Sequence, residues 1–138
     1  MKSSLLAIVI LSFILLSCEK EIELKQNEDS KSSLLNQDKP ESTVRSWQYL
    51  MDNNDFDQAK RLADEKTNEF LSEIQQYMKT TPEDTLTSNS KFISLKCSEN
   101  RNKATCYAKI EDINFQEIYN DTFFLIKQEN KWLIAAND

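Results

Sequence analysis

The chain of 138 residues contains no glycine and no histidine. Without glycine there is no Gly-rich phosphate loop and no dinucleotide-binding fingerprint, both of which need backbone free of a Cβ at fixed positions. Without histidine there is no Ser-His-Asp or Cys-His catalytic set and no imidazole metal ligand. Lys and Arg number 17 against 23 Asp and Glu, a net charge of -6, and a surface of that sign disfavours nucleic acid. Long apolar runs are also scarce. The longest, residues 5–16, is about a dozen residues, the length of a signal-peptide core and short of the roughly 20 that a membrane-spanning helix needs.

That run ends in Leu15-Leu16-Ser17-Cys18. The pattern resembles the bacterial lipobox, with a branched apolar residue three places before a cysteine and a small residue immediately before it. The resemblance implies that Cys18 receives a diacylglycerol on its sulfur, that cleavage follows Ser17, and that the new amino terminus is acylated. Several acyl chains make a stable anchor where one would be marginal. The alternative is an uncleaved anchor or a plain secretory signal, with Cys18 an ordinary cysteine. On the lipoprotein reading, residues 1–17 are a signal peptide, 18–37 a lipidated N-terminus and flexible tether, and 38–138 a single domain. Loss of Lys2 then leaves 16 positive against 23 negative residues, a balance of -7. A tether of about 20 flexible residues spans on the order of 25 Å. Glu19, Glu21 and Glu23 loosely resemble a signal for display on the outer face of the outer membrane. The expected location is the bacterial cell envelope, lipid-anchored at the outer membrane, periplasmic or surface-facing.

The other two cysteines, Cys97 and Cys106, lie in ISLKCSENRNKATCYAKI. Ile93, Leu95 and Cys97 alternate before the polar centre, and Ala104, Cys106, Ala108 and Ile110 alternate after it, which reads as a β-hairpin. A turn centred on Arg101-Asn102 sets the two cysteines directly opposite each other on one face, close enough for a disulfide. Two free buried thiols are the other reading.

Along the domain, Asp38-Lys39-Pro40-Glu41 has the D-x-x-E form of a capping box, and Val44, Trp47, Leu50 and Met51 follow at helical spacing. Asp55 to Gln58 offers a second cap, opening a short helix that buries Phe56, Ala59, Leu62 and Ala63. A third helix carries Phe70, Ile74, Tyr77 and Met78 and ends before Pro82. Alternation replaces helical spacing after residue 90. Strands are expected over 92–97, 104–113, 118–128 and 131–136, the last two central because they are apolar on both faces. Helices followed by antiparallel strands predict an α+β fold, three helices packed on one face of a curved four-stranded sheet.

This order, with NNDFDQAKRLA between the first two helices and FFLIKQENKWLI at the end, resembles the small NTF2-like lipoproteins of the DUF4878 family. The shared residues are Trp47 and Leu50, Asn54-Asp55-Phe56 with Ala59, and Lys131-Trp132-Leu133-Ile134, so the likeness rests on packing and capping motifs across most of residues 40–136. Where the family places glycine in turns, this chain has Asn53, Asn54 and Asn130, residues that tolerate left-handed geometry. The resemblance implies an NTF2-like cone, with a pocket at its wide end.

Enzymes of this superfamily use Asp-His or Tyr-Asp arrangements inside the cone. The first is impossible here, and for the second the candidates are Tyr107 and Tyr119 with Glu111 or Asp112, residue types that are more often packing or edge residues. No catalytic residue, metal or cofactor is expected. Asp52, Asp55 and Asp57 fail the EF-hand spacing. If a pocket exists, its natural lining is Trp47, Phe70, Ile74, Phe124 and Trp132, although core filling explains the same residues. Asp84-Thr85-Leu86 resembles an O-glycosylation acceptor at Thr85. The function expected is non-catalytic binding of a small apolar ligand or an envelope protein partner, with dimerisation through the sheet as one oligomeric option. A protein-directed inhibitor or immunity lipoprotein is the alternative, and a small isomerase or dehydratase stands behind both.

Overall fold

The computed structural model describes residues 35–81 and 87–137. The expected signal peptide, Cys18, nearly all of the tether and Thr85 lie outside the described residues. From Leu35 onward the chain forms one compact unit with its own core.

Three helices precede a four-stranded antiparallel sheet, so the architecture is α+β. Helix α1 spans Pro40–Asp52 and opens on Pro40, which lacks the N–H that a cap would satisfy and brings a φ already suited to a helix. Its N-cap is Lys39, without a side-chain cap bond, so the capping box expected at Asp38 does not form. The backbone N–H of Asp38 donates to Asn36 Oδ1 instead, at 3.0 Å. Helix α2, Phe56–Ala59, runs on as a single 3-10 turn, Lys60–Leu62. Here the expected cap is present, with the Asp55 carboxylate accepting the Gln58 N–H at 3.3 Å, and Phe56, Ala59, Leu62 and Ala63 are all buried.

Helix α3, Glu65–Thr80, is capped by Asp64, which accepts the Thr67 N–H at 2.8 Å. Its buried stripe differs from the expected one. Thr67 and Leu71 are buried and Ile74 and Met78 pack partly against the helical core, while Phe70 and Tyr77 are 60% and 57% exposed. Positions 67, 71, 74 and 78 make a regular helical stripe of their own. The two large aromatics drew the sequence reading about one position round the helix.

Strands β1 (Ser90–Asn100), β2 (Lys103–Asp112), β3 (Glu117–Gln128) and β4 (Lys131–Ala135) form a meander in chain order. β4 is therefore an edge strand, not a central one. Its outer edge is nevertheless covered: Trp132 N–H donates to the Gln37 carbonyl at 2.9 Å, Gln37 Nε2 donates to the Trp132 carbonyl at 3.0 Å, and Asp64 N–H donates to the Ile134 carbonyl at 2.9 Å. The apolar character of β4 reflects this cover, since an edge closed by backbone needs none of the charges that protect an open one.

The helices pack on the sheet face that carries Ala104, Cys106, Ala108 and Ile110 of β2, Phe123 and Leu125 of β3, and Trp132 and Ile134 of β4. Leu50, Phe56, Ala59, Leu62 and Leu71 form a second cluster within the helical layer, and Trp47 packs against both clusters. The opposite face of the sheet is covered by no described element.

Cys97 pairs with Cys106 in the β1–β2 register, and the two form a disulfide with Cα atoms 4.0 Å apart. That separation suits a non-hydrogen-bonded antiparallel pair, where the strands approach most closely. Closing so short a loop contributes about 2 to 3 kcal/mol in the chain-entropy account.

The lack of glycine has a conformational cost. Among the described residues, five take positive φ: Asn54 (56°), Arg101 (58°), Gln116 (57°), Glu129 (48°) and Asn130 (63°). Glu129 and Asn130 together make the β3–β4 turn, with both central residues left-handed as the twist of a two-residue hairpin demands. Left-handed backbone costs a residue with a Cβ about 1–2 kcal/mol, against about 0.5–1 kcal/mol of extra chain entropy lost by glycine. Gln116→Gly and Glu129→Gly should therefore each raise the unfolding free energy by about 0.5–1 kcal/mol in urea titrations. A loss of stability in both would show that the long side chains hold these turns by contacts that outweigh the backbone cost.

Candidate functional site

Four short segments meet at one end of the sheet: the second half of α1, residues 87–89, the first residues of β1, and the turn after β2. Between them lies a cleft of about 440 Å³, within the range of about 300–1,000 Å³ typical of small-molecule sites.

The cleft is assembled by polar ties. Asp52, the last residue of α1, is 8% exposed. Its carboxylate accepts from Gln48 Nε2 at 2.9 Å, from Ser90 Oγ at 2.9 Å and from the Ser90 backbone N–H at 2.8 Å. Gln48 and Asp52 are four residues apart and so share a helix face. Gln48 Nε2 also reaches Ser90 Oγ at 3.1 Å. The helix end is thereby bonded to the first residue of the sheet. On the far wall, Asp112 Oδ1 accepts from the backbone N–H groups of Asn114 and Phe115 at 2.9 and 3.3 Å, which starts the β2–β3 turn. Asn114 Nδ2 then donates to the Thr87 carbonyl at 2.9 Å, and Ile113 N–H to the Asn89 carbonyl at 2.9 Å.

Tyr49 and Arg45 stand about one and two helical turns before Asp52 on the same side of α1. The Arg45 guanidinium lies 5.0 Å above the centre of the Phe92 ring, an attraction between the cation and the electron-rich ring face. Tyr49 is half exposed. Among the described residues, the Arg45 guanidinium, the Asn89 carboxamide and the Tyr49 hydroxyl have no hydrogen-bond partner. The cleft thus offers donors and acceptors along an aromatic wall, and Asp52, the carboxylate in its lining, already holds three donors.

The residues singled out from the sequence are dispersed. Trp132 is 1% exposed and fills the core, Trp47 bridges the two clusters, and Ile74 packs against the helical cluster. Phe70 projects from α3 into solvent. Phe124 alternates onto the uncovered sheet face, since its neighbours Phe123 and Leu125 point to the core. None of these five lines the cleft beside Asp52. Tyr107 and Glu111 share the uncovered face but stand four strand residues apart, about 13 Å. Tyr119 and Asp112 lie on the helix side, where Asp112 is engaged by the turn amides. Asp52 is in the knot, Asp55 caps α2, and Asp57 accepts from Gln75 Nε2 at 3.1 Å. Among the described residues no group of three or more Cys, Asp or Glu could hold a metal ion, and no helix is long and apolar enough to cross a membrane.

Sequence reasoning missed the cleft. Its signal is a polar stripe, Arg45, Gln48, Tyr49 and Asp52, at helical spacing beside the apolar stripe of α1, followed after the helices by the polar run Thr87-Ser88-Asn89-Ser90. A scan of the chain against protein-family models finds no match, and a search of curated proteins returns none.

Removing the Asp52 carboxylate strands buried donors, which costs about 1–3 kcal/mol for each group left unsatisfied. Asp52→Ala should lower the unfolding free energy by about 2–3 kcal/mol in chemical denaturation, while Asp57→Ala, at an exposed position, changes it by less than about 0.5 kcal/mol. Equal effects at the two positions would remove Asp52 from its place as the tie between layers.

Proposed function

We propose that this chain is a lipid-anchored envelope protein whose NTF2-like domain is a non-catalytic binding module, and that the cleft beside Asp52 is its ligand site. Support for the fold assignment comes from three helices followed by a meander sheet with the helices on one face. Support for anchoring comes from the apolar run that stops at Leu15-Leu16-Ser17-Cys18.

The ligand proposed here is polar, in contrast to the apolar one expected from the sequence, because Trp47 and Trp132 fill the core and the open cavity is lined by amides, hydroxyls and one guanidinium. The observation that carries this reading is the set of Arg45, Tyr49 and Asn89, exposed side chains that line one cleft and take no hydrogen bond from another described residue. Amides and hydroxyls both donate and accept, as the hydroxyls of a sugar do. Tyr49 and Phe92 supply apolar surface against which the C–H face of a ring can pack. The matching ligand is hydroxyl-rich and of saccharide size.

Titrating mono- and disaccharides into the isotope-labelled protein should produce saturable NMR shifts at Tyr49, Asn89 and Phe92, and Arg45→Ala with Asn89→Ala should weaken the interaction by at least about tenfold, the worth of one or two hydrogen bonds. An apolar ligand that shifts the core tryptophans while no saccharide perturbs the cleft would replace this reading. Anchoring is checked separately. Cells fed a labelled fatty acid should yield a labelled, membrane-associated protein, and Cys18→Ser should lose both the label and the association; a labelled Cys18→Ser protein would sink the lipobox assignment.

A further inference from the structure

The uncovered face of the sheet differs in charge from the rest of the molecule. Alternation along the strands places Lys91 and Lys96 of β1, Lys103 and Lys109 of β2, and Lys131 of β4 on this face, all exposed. Glu111 is the only acidic strand residue that joins them. The other acids of the strands, Glu99, Asp112, Glu117 and Asp121, alternate onto the helix side, opposite or beside core residues of β2. A chain of net charge -6 therefore presents one face with, among the described strand residues, five lysines against a single carboxylate.

Between the lysines stand Tyr107 and Ile118, 61% and 59% exposed, and the half-buried Phe124, Ile126 and Leu133. The lysines do not converge on a groove. They are spread over an open sheet, so the matching partner is itself extended and flat. A phospholipid headgroup layer has that shape, accepts lysine ammonium groups at its phosphates, and takes tyrosine and aliphatic side chains at its boundary. The acids of the helical layer do not cancel this attraction. Stacked layers are about 10 Å apart, more than the screening length of roughly 8 Å at physiological salt, so those acids act on the same headgroups largely screened.

We infer that this face seats the domain on an anionic phospholipid surface. The inference draws on the proposed lipid anchor only to bring the face near a bilayer, and the charge pattern stands without it. The test therefore uses protein that cannot be acylated: the chain from residue 18 with Cys18→Ser, which retains the whole compact unit from Leu35 onward.

Flotation with vesicles of phosphatidylcholine alone, and of phosphatidylcholine mixed with phosphatidylglycerol, should show binding to the anionic vesicles only, released by high salt. The triple variant Lys96→Gln, Lys103→Gln, Lys109→Gln should bind about a hundredfold more weakly, the product of about fivefold per lysine at an anionic surface. The corresponding Lys→Arg triple variant should bind as the parent does, and Lys39→Gln with Lys79→Gln, in the helical part, should leave binding unchanged; circular dichroism melts confirm that each variant is folded. Equal binding to neutral vesicles would overturn the inference. So would unchanged binding by the triple Gln variant, equal weakening by the helical variant, or capture of an acidic protein by this face without any vesicle binding.

Discussion

The bond between Asp52 and Ser90 fixes one layer of this protein to the other. An acidic residue ending a helix opposes the helix dipole, and the last turn of α1 contains no basic residue to offset it. The position makes sense through what the carboxylate holds. Two of its three donors come from Ser90, thirty-eight residues further along the chain and the first residue of the sheet. The chain leaves α1 after Asp52 and enters the sheet at Ser90, and this knot holds those two points together. With the helix end bonded to the start of β1, Arg45 falls over Phe92, and the wall carrying Tyr49 faces the wall carrying Asn89. The cleft is a consequence of the tie, which is why its residues come from parts of the chain far apart in sequence.

A second constraint is the absence of glycine. Among the described residues, the tight turns that need left-handed backbone assign it to whatever side chain stands there, to asparagine at residues 54 and 130 but also to Arg101, Gln116 and Glu129. These turns cost free energy that the rest of the domain must offset. The β1–β2 hairpin, whose turn contains Arg101, is also the one closed by the Cys97–Cys106 disulfide, so a covalent bond holds a register that the turn alone would specify poorly. At the other side of the sheet, backbone from Gln37 and Asp64 covers β4.

Much of the fold was legible because it rests on local signals. Alternation on both sides of Arg101-Asn102 placed Cys97 opposite Cys106, and the cap at Asp55 followed from its spacing to Gln58. Other features depended on distant parts of the chain and could not be read locally. Asp38 resembles a cap, yet Pro40 and the fixing of Gln37 to β4 set the helix entry. β4 reads as central because apolar residues on both faces signal cover, and the sequence does not say whether a strand or a loop supplies it. On α3, Phe70 and Tyr77 outweighed Leu71 in any reading by hydrophobicity, while the packing partner, the α1–α2 corner, selected the face. The cleft was the least legible feature. Polar residues on a helix normally signal solvent, and only their meeting with residues 87–90 turns them into a site.

The two surfaces described here are compatible in space. The cleft opens on the helix side of the sheet, since Ser90 and Phe92 alternate toward the core, whereas Lys96, Lys103 and Lys109 alternate away from it. A domain resting on its lysine face would therefore keep the cleft turned away from the bilayer and open to solvent. The reverse orientation would bring the acids of α3, Glu65, Glu69 and Glu73, toward the same headgroups and close the cleft against them. On the proposed anchoring and binding, charge would favour the orientation that leaves the cleft open. The proposal would thereby give a use to the segregation of lysines onto one face of an acidic chain, which solubility alone does not require.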